Sequence, residues 1–320
     1  MAKKISVILC TYNRCHSLAK ALDSVAVSKL PDSIDWEVLV VDNNSSDQTR
    51  EVVERFCRRH PDRFRYLFEP KQGKSQALNA GIRESRGQIL AFIDDDVTVE
   101  PAWLQNLTAL LQDHEGVAGS GGRILPAHAF SPPRWLALSG PYAMGGILYA
   151  HFDLGDEAKD LEQPPYGTNM AIRKKMFDKY GYFRTDMGPC PGSEIRNEDT
   201  EFVRRLLAGK ERLRYAPSAI VYHEVPENRI KKEFFLTWWF DYGRALVRES
   251  KKSHEVSDLW MIIRRIVPMT LAWMRAFNPQ LRFYRKCWVW VVAGEGVEIY
   301  RQARSSNPLE TKNTANKQRL

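Results

Sequence analysis

Long apolar runs are missing from this chain. No stretch approaches the roughly 18 consecutive apolar residues of a membrane-spanning helix. The N-terminal stretch MAKKISVILCTYNR has too short an apolar run for a secretory signal peptide and continues as a strand, so no cleaved leader is expected. Cysteine is scarce: Cys10, Cys15, Cys57, Cys190 and Cys287 are odd in number, scattered, and without a C-x-x-C pair. That spacing argues against a disulfide framework or a zinc ribbon and suits free thiols in a reducing, cytoplasmic compartment. There is no internal repeat and no low-complexity tract. Acidic residues run short in one region only. Residues 229–320 carry 18 Lys and Arg against 8 Asp and Glu, a balance of +10, whereas residues 1–228 carry 29 against 31, a balance of −2. Six of the nine tryptophans also lie after residue 229. The chain therefore divides on composition into a near-neutral body and a basic, aromatic tail. No recognised nucleic-acid module accompanies the basic charge, so nucleic acid is not an expected partner.

What is present begins with near-continuous apolar runs at Ile5–Cys10, Trp36–Val41 and Ile89–Ile93. Runs apolar on both faces are the mark of buried parallel strands. Between them Ser17–Ser28, Thr49–His60 and Ser75–Ser85 have apolar residues at helical spacing, and Phe64–Phe68 is a further strand candidate. This alternation predicts an open α/β sheet over residues 1–100 with right-handed crossovers. Such sheets bind ligands beyond the carboxyl ends of their strands. The residues to read are thus TYNR at 11–14, DNNSSD at 42–47 and DDD at 94–96. Farther on, VAGSGGRIL and MGGILYA read as strands interrupted by glycine, and SPPRW and QPPYGTN as loops. Glu198–Leu207 reads as a helix, and Arg212–Tyr215 and Ala219–His223 as short strands. Helices are predicted at about 229–252, 257–276 and 280–304, and the polar end, 305–320, is expected to be disordered.

Three adjacent carboxylates at a strand end repel one another and offer hard oxygen donors, which suit Mg²⁺ or Mn²⁺ shared with a substrate's phosphates. Asp42, at another strand end, can accept hydrogen bonds from a ribose or a base, or can simply hold its own turn. Lys74 opens a helix after a glycine turn and favours an anion there. Glu198 and Asp199 open another helix, where acids also stabilise the dipole. His223 ends a strand candidate, and a lone histidine is commonly structural.

The ordered set SVILCTYNR, WEVLVVDNNSSDQTREVV, KSQALNAGI, GQILAFIDDDVTVEPAWL and RNEDTEFVRRL resembles a family 2 inverting glycosyltransferase of the GT-A fold, over residues 4–225. The fold this implies is α/β, with an open, mostly parallel doubly wound sheet and a C-terminal helical tail. The implied domains are 1–228 for catalysis and 229–304 as a helical subdomain. The resemblance implies that Thr11 and Asp42 contact the nucleoside and that Asp94 and Asp95 face ribose and diphosphate, with Lys74 near the phosphates. Asp96 would be a metal ligand, with His223 as a further ligand or a diphosphate contact. Asp199 would be the catalytic base, with Glu198 beside it, and Thr168 and Asn169 would face sugar or acceptor. The activity implied is sugar transfer from a nucleotide-sugar donor to a saccharide or lipid-linked saccharide, in bacterial cell-surface polysaccharide or glycolipid synthesis. The charge expected to balance the aspartate triplet is Mg²⁺ or Mn²⁺ arriving with the donor rather than a lysine of the chain.

Two other readings compete. Asp94-Asp95-Asp96-Val97-Thr98 fits the D-x-D-x-T nucleophile element of haloacid-dehalogenase-like phosphatases, and GDEAKD at 155–160 fits their acidic element. That reading leaves TYNR, VVDNNSSD and NED without a purpose. A non-catalytic scaffold of the same fold is the other, and the intact Asp96 and Asp199 speak against it. The tail, with KKEFFLTWWFDYGRALVRESKK and later Trp and Arg residues, reads either as a packed helical subdomain or as a peripheral surface for the anionic inner face of the cell membrane.

Overall fold

Runs of β-branched and large apolar residues cannot turn one face to water, and here they form the middle of a single sheet. The structure is a computed structural model that describes residues 5–191, 193, 195–250 and 252–305. The expectation of a disordered end therefore falls, beyond Ser305, outside the described residues. In chain order the first half comprises β1 (Ile5–Thr11), α1 (Cys15–Ala26), β2 (Trp36–Asp42), α2 (Thr49–Arg59), β3 (Phe64–Phe68), α3 (Lys74–Glu84), β4 (Ile89–Asp94), β5 (Val97–Val99), α4 (Trp103–Asp113) and β6 (Val117–Pro126). Then follow α5 (Gly145–Tyr149), β7 (Asn169–Arg173), α6 (Lys175–Tyr180), α7 (Glu198–Ala208), β8 (Arg212–His223), α8 (Lys232–Ser250), α9 (Leu259–Met274) and α10 (Pro279–Ser305). These elements gather into two compact units.

The first unit takes in the chain up to residue 130 together with 145–192 and 197–226. Its sheet has eight strands in the order β3-β2-β1-β4-β7-β6-β8-β5. β3, β2, β1 and β4 run parallel, and β7 enters the centre of the sheet antiparallel to β4. Every residue of β2 is buried, as its two-sided apolar pattern requires. Helix α2 buries Val52, Val53 and Phe56 on one face and leaves its charged residues on the other. The parallel register sets Thr11 opposite Asp42 and Cys10 opposite Asp94, so three strand ends share one edge. Because β7 runs the other way, its first residues, not its last, lie at that same edge: Asn169 pairs with Ile93.

Several elements differ from the sequence reading. MGGILYA forms the short helix α5 rather than a strand, since two adjacent glycines leave little side chain to pair across a sheet. The two short strands read near 212 and 219 are one strand, β8, whose register against β6 shifts between Gly122 and Arg123. β5, β7 and α6 had no counterpart in that reading.

The second unit takes in 131–144, 193–196 and the chain from 227 onward. Within it, Val247, Ile262, Val292 and Ile299 make the apolar contact among α8, α9 and α10. Trp135 packs edge-on against Phe235 and Phe283, at ring centroid distances of 5.5 and 4.5 Å. Arg244 and Arg248 both grip the buried Glu298, at 3.1 and 2.8 Å, and Arg265 pairs with Glu295. These pairs satisfy acids of α10 that would otherwise be buried unpaired.

Candidate active site

The shared strand edge of the first unit gathers six carboxylates, Asp42, Asp94, Asp95, Asp96, Glu198 and Asp199, and two cations, Lys74 and Arg14. β4 ends at Asp94, and the chain turns through Asp95 and Asp96 into β5. Each acid of the triplet meets different partners. Asp94 Oδ1 accepts from Lys74 Nζ at 2.7 Å, and its Oδ2 from the Thr168 hydroxyl at 2.6 Å. Asp95 accepts from the Thr11 hydroxyl at 2.7 Å and from Arg14 at 3.0 Å. Asp96 accepts from the same Arg14 at 2.9 Å. The expectation that a metal ion rather than a lysine of the chain balances the triplet is thus corrected in part: Lys74 already meets Asp94, and Arg14 meets Asp95 and Asp96. Arg14 belongs to the TYNR segment, but nothing local in that segment says that it reaches across to β4.

Lys74 is aimed by its loop. Asn43 donates to the carbonyls of Glu69 and Lys71 and accepts from Gly73 N–H at 2.7 Å. Gly73 has φ of 133°, a region that only glycine occupies without strain, and α3 starts at the next residue. Burial disfavours the Lys74 ammonium, but Asp94, then Glu198 and Asp199, more than offset this, and its pKa is raised. For Asp94, burial pushes up, but the charge and hydrogen bond of Lys74 and the Thr168 hydroxyl win, so it stays ionised well below the usual carboxylate range. Asp95 goes the other way. Burial pushes it up, Arg14 pulls it down, Asp96 pushes it up again, and it ends at about 6. Glu198 is buried, with Lys74 at 3.8 Å and Asp199 as its neighbour, and burial raises it to about 7.

Asp199 lies in the first turn of α7 and is partly exposed. Its Oδ2 accepts from Gly167 N–H at 2.6 Å, and its Oδ1 from Thr200 N–H at 2.7 Å. The carboxylate is therefore fixed from both sides. A Cβ at position 167 would sit 2.9 Å from Asp199 Oδ2, so glycine there is what lets the backbone donor come so close. A small pocket is lined by Cys10, Lys74, Asp94, Gly167, Glu198 and Asp199, among others.

His223 arrives through β8. Val97 pairs with His223 in the antiparallel register, which sets its imidazole next to the residue before β5, Asp96. Its Nδ1 is 2.6 Å from the Glu224 carbonyl, an acceptor, so that nitrogen carries the hydrogen. In the neutral ring Nε2 would then present a lone pair 3.5 Å from Asp96 Oδ1. Two lone pairs facing each other across that gap are a fit for a cation, with the outer hydrogen bond fixing the ring. Among the described residues no group of three or more His, Cys, Asp or Glu is arranged to hold a metal. Among the described residues this oxygen and nitrogen are the donors that face each other, and a shell completed by phosphate oxygens and water would suit Mg²⁺ or Mn²⁺.

Asp42 is 2% exposed, and accepts from Ser45 N–H at 2.9 Å and from the Tyr66 hydroxyl at 2.8 Å. It thus holds its turn and borders the edge; Tyr66 gave no signal in the sequence. Asn169, expected to face sugar or acceptor, does not. It is fully buried, accepts from Trp103 Nε1 and donates to the carbonyls of Arg123 and Ala219, which uses up its amide inside the protein. The phosphatase element fares no better. Asp160 pairs with Arg212 and Arg214, and Asp156 with Arg123, in surface ion pairs.

Comparison with known proteins agrees with this geometry. The family profile described as "Glycosyl transferase family 2" matches residues 6–181. The succinoglycan biosynthesis protein ExoM of Rhizobium meliloti is 29% identical over 81% of this chain and 79% of its own length. Glycosyltransferase AglE of Haloferax volcanii is 25% identical over 88% of this chain and 83% of its own length. Among solved structures, the mannosyltransferase PcManGT of Pyrobaculum calidifontis, in complex with GDP-Man and Mn²⁺, superposes with a TM-score of 0.56 at 19% identity, over 99% of this chain and 79% of its own. That likeness shows the GT-A fold.

Proposed function

The chain belongs to glycosyl transferase family 2 and is a glycosyltransferase, and on that premise we propose that it moves a sugar from a nucleotide-sugar donor to a hydroxyl of a saccharide or lipid-linked saccharide, inverting the anomeric carbon. The observation that carries this reading is Asp199, fixed through both oxygens and lining one pocket with Asp94 and Lys74. A carboxylate so held takes the proton of the acceptor hydroxyl as its oxygen attacks the anomeric carbon. The new C–O bond forms on one face while the bond to the diphosphate breaks on the other, and the diphosphate leaves with the electron pair. The negative Asp199 also faces the oxocarbenium character of the transition state.

Thr11, Asp42, Lys74, Asp94 and Asp95 are assigned to the nucleotide. Asp42 keeps a second lone pair on each oxygen for a base N–H, and Asp94 and Asp95 lie toward ribose and diphosphate. Glu198, 3.8 Å from Lys74, helps to position that ammonium beside Asp199, and Thr168 orients Asp94 and offers its hydroxyl oxygen to the sugar. Asp96 and His223 would hold a divalent cation, which would offset the charge growing on the departing nucleoside diphosphate. The basic, aromatic second unit supports work at the cytoplasmic face of a membrane, and the relative named for succinoglycan biosynthesis supports a role in polysaccharide or glycolipid assembly.

Thermal-shift screening of nucleoside diphosphates and sugar nucleotides with Mn²⁺ identifies the donor, and NMR of the product then reads its anomeric configuration. One donor should stabilise the protein and yield the inverted anomer. A retained anomer would contradict the single displacement, and hydrolysis of p-nitrophenyl phosphate without sugar-nucleotide turnover would overturn the whole reading.

A further inference from the structure

Helix α9 is apolar on two faces, and among the described residues only one of them is covered. Ile262 is buried with Val247, Val292 and Ile299, and Ile266 and Met269 pack on that cluster. On another face Trp260, Ile263, Val267, Leu271 and Met274 recur at spacings of three and four and are 63, 49, 52, 42 and 55% exposed. Phe277, just past the helix, is 99% exposed. Scattered exposed apolar residues are ordinary, but a continuous stripe along four turns marks a surface that meets something.

Charge says what. From residue 259 to 294 there is no Asp or Glu, while Arg264, Arg265, Arg275, Arg282, Arg285 and Lys286 all fall within that span. Arg265 is held by Glu295. Arg264 and Arg275 are exposed beside the stripe, and Arg282, in the first turn of α10, is exposed as well. A second copy presenting the same face would set arginine against arginine, which repels. The complementary partner is therefore both apolar and anionic. A bilayer with anionic headgroups is both at once: apolar residues sink to the acyl boundary while arginines meet the phosphates. The helix has 16 residues, a length of about 24 Å at the α-helical rise. Among the described residues no helix is long and apolar enough to cross a membrane. The fit is to a helix that lies in the interface.

We propose that the exposed face of α9, continued by Phe277, is a membrane-docking surface that rests on anionic lipid. This deepens the reading of the chain as a membrane-surface enzyme and rests on it only for its purpose. The test is co-sedimentation of the full chain with phosphatidylglycerol-containing vesicles and with pure phosphatidylcholine vesicles, at low and at high salt. Two variants accompany it, Ile263→Ser with Phe277→Ser, and Arg264→Gln with Arg275→Gln. All four side chains are exposed, so both variants should keep the wild-type thermal midpoint; if the apolar variant does not, the arginine variant decides. Wild type should bind the anionic vesicles at least tenfold more tightly than the neutral ones and lose that advantage in high salt. Each variant should lose about tenfold or more, since a basic residue at an anionic surface is worth about fivefold. Equal binding to both vesicle types, binding to neither, or unchanged binding by both variants would overturn the proposal. So would capture by polyglutamate with no vesicle binding, which would assign the face to an acidic protein. Donor binding and turnover on a soluble acceptor should be unchanged in both variants. A chain that binds vesicles as described but turns over no donor would contradict the enzymatic reading and leave the docking surface standing.

Discussion

Asp94, Asp95 and Asp96 are neighbours in sequence with three different sets of partners. Lys74 and Thr168 hold the first, Thr11 and Arg14 the second, and Arg14 and the His223 edge the third. The crowding of acids was evident from the sequence; their partners were not, because Arg14 lies 81 and 82 residues away from Asp95 and Asp96 and only strand order joins them. Thr168 turns its hydroxyl to Asp94 at the edge, while the amide of its neighbour Asn169, the first residue of β7, is spent on Trp103, Arg123 and Ala219 inside the protein, a tertiary pairing that the sequence does not show. Glu198 gives a pH test. Its carboxyl is raised from 4.5 to about 7, chiefly by burial. Between those values the folded chain keeps a proton that the unfolded chain releases, so stability falls as pH rises through that window. Glu198→Gln should remove this dependence. By urea unfolding it should match wild type near about pH 4.5 and exceed it by up to about 3 kcal/mol near about pH 8. A difference that does not change with pH would show that burial does not hold the proton on Glu198.

The elements legible in the sequence were those whose burial is locally written. β1, β2 and β4 are apolar on both faces and could only be central strands, and α2 shows its buried stripe at helical spacing. β7 was not legible, because its five residues follow a proline-rich loop and owe their pairing to β4 and β6 far away in sequence. The single-residue register Val97 to His223, which sets His223 at Asp96, is likewise a tertiary fact. In the second unit, α8 and α10 pack closely where Gly243 faces the backbone of α10 and Gly294 that of α8. A Cβ at 294 would run into the Phe240 carbonyl oxygen, and one at 243 into the Val291 carbonyl oxygen. Gly294→Ala should therefore destabilise that unit by about 1–3 kcal/mol or more, the usual cost of overpacking. Calorimetry should show its transition lowered while nucleotide binding with Mn²⁺ is kept. An unchanged transition would mean that the helices have room to move apart.

Across the whole molecule, charge is divided: a near-neutral unit with a concentrated acidic edge, and a basic, aromatic unit with an uncovered stripe. On the proposed reading of the acidic edge, stability should depend on metal and nucleotide together. Nucleoside diphosphate with Mn²⁺ at about a hundredfold over Kd should stabilise the chain by about 2.7 kcal/mol. EDTA, or Asp96→Asn, should remove most of that gain, and a gain insensitive to both would exclude Asp96 as a ligand. The central claim is that Asp199 draws the proton from the acceptor. It is tested most directly by the transfer rate of Asp199→Asn beside its nucleotide affinity. The amide keeps the shape of the carboxylate but cannot take the proton, so transfer should fall by about 10²–10⁴-fold while nucleotide affinity stays within about twofold. Transfer at the wild-type rate would contradict the account.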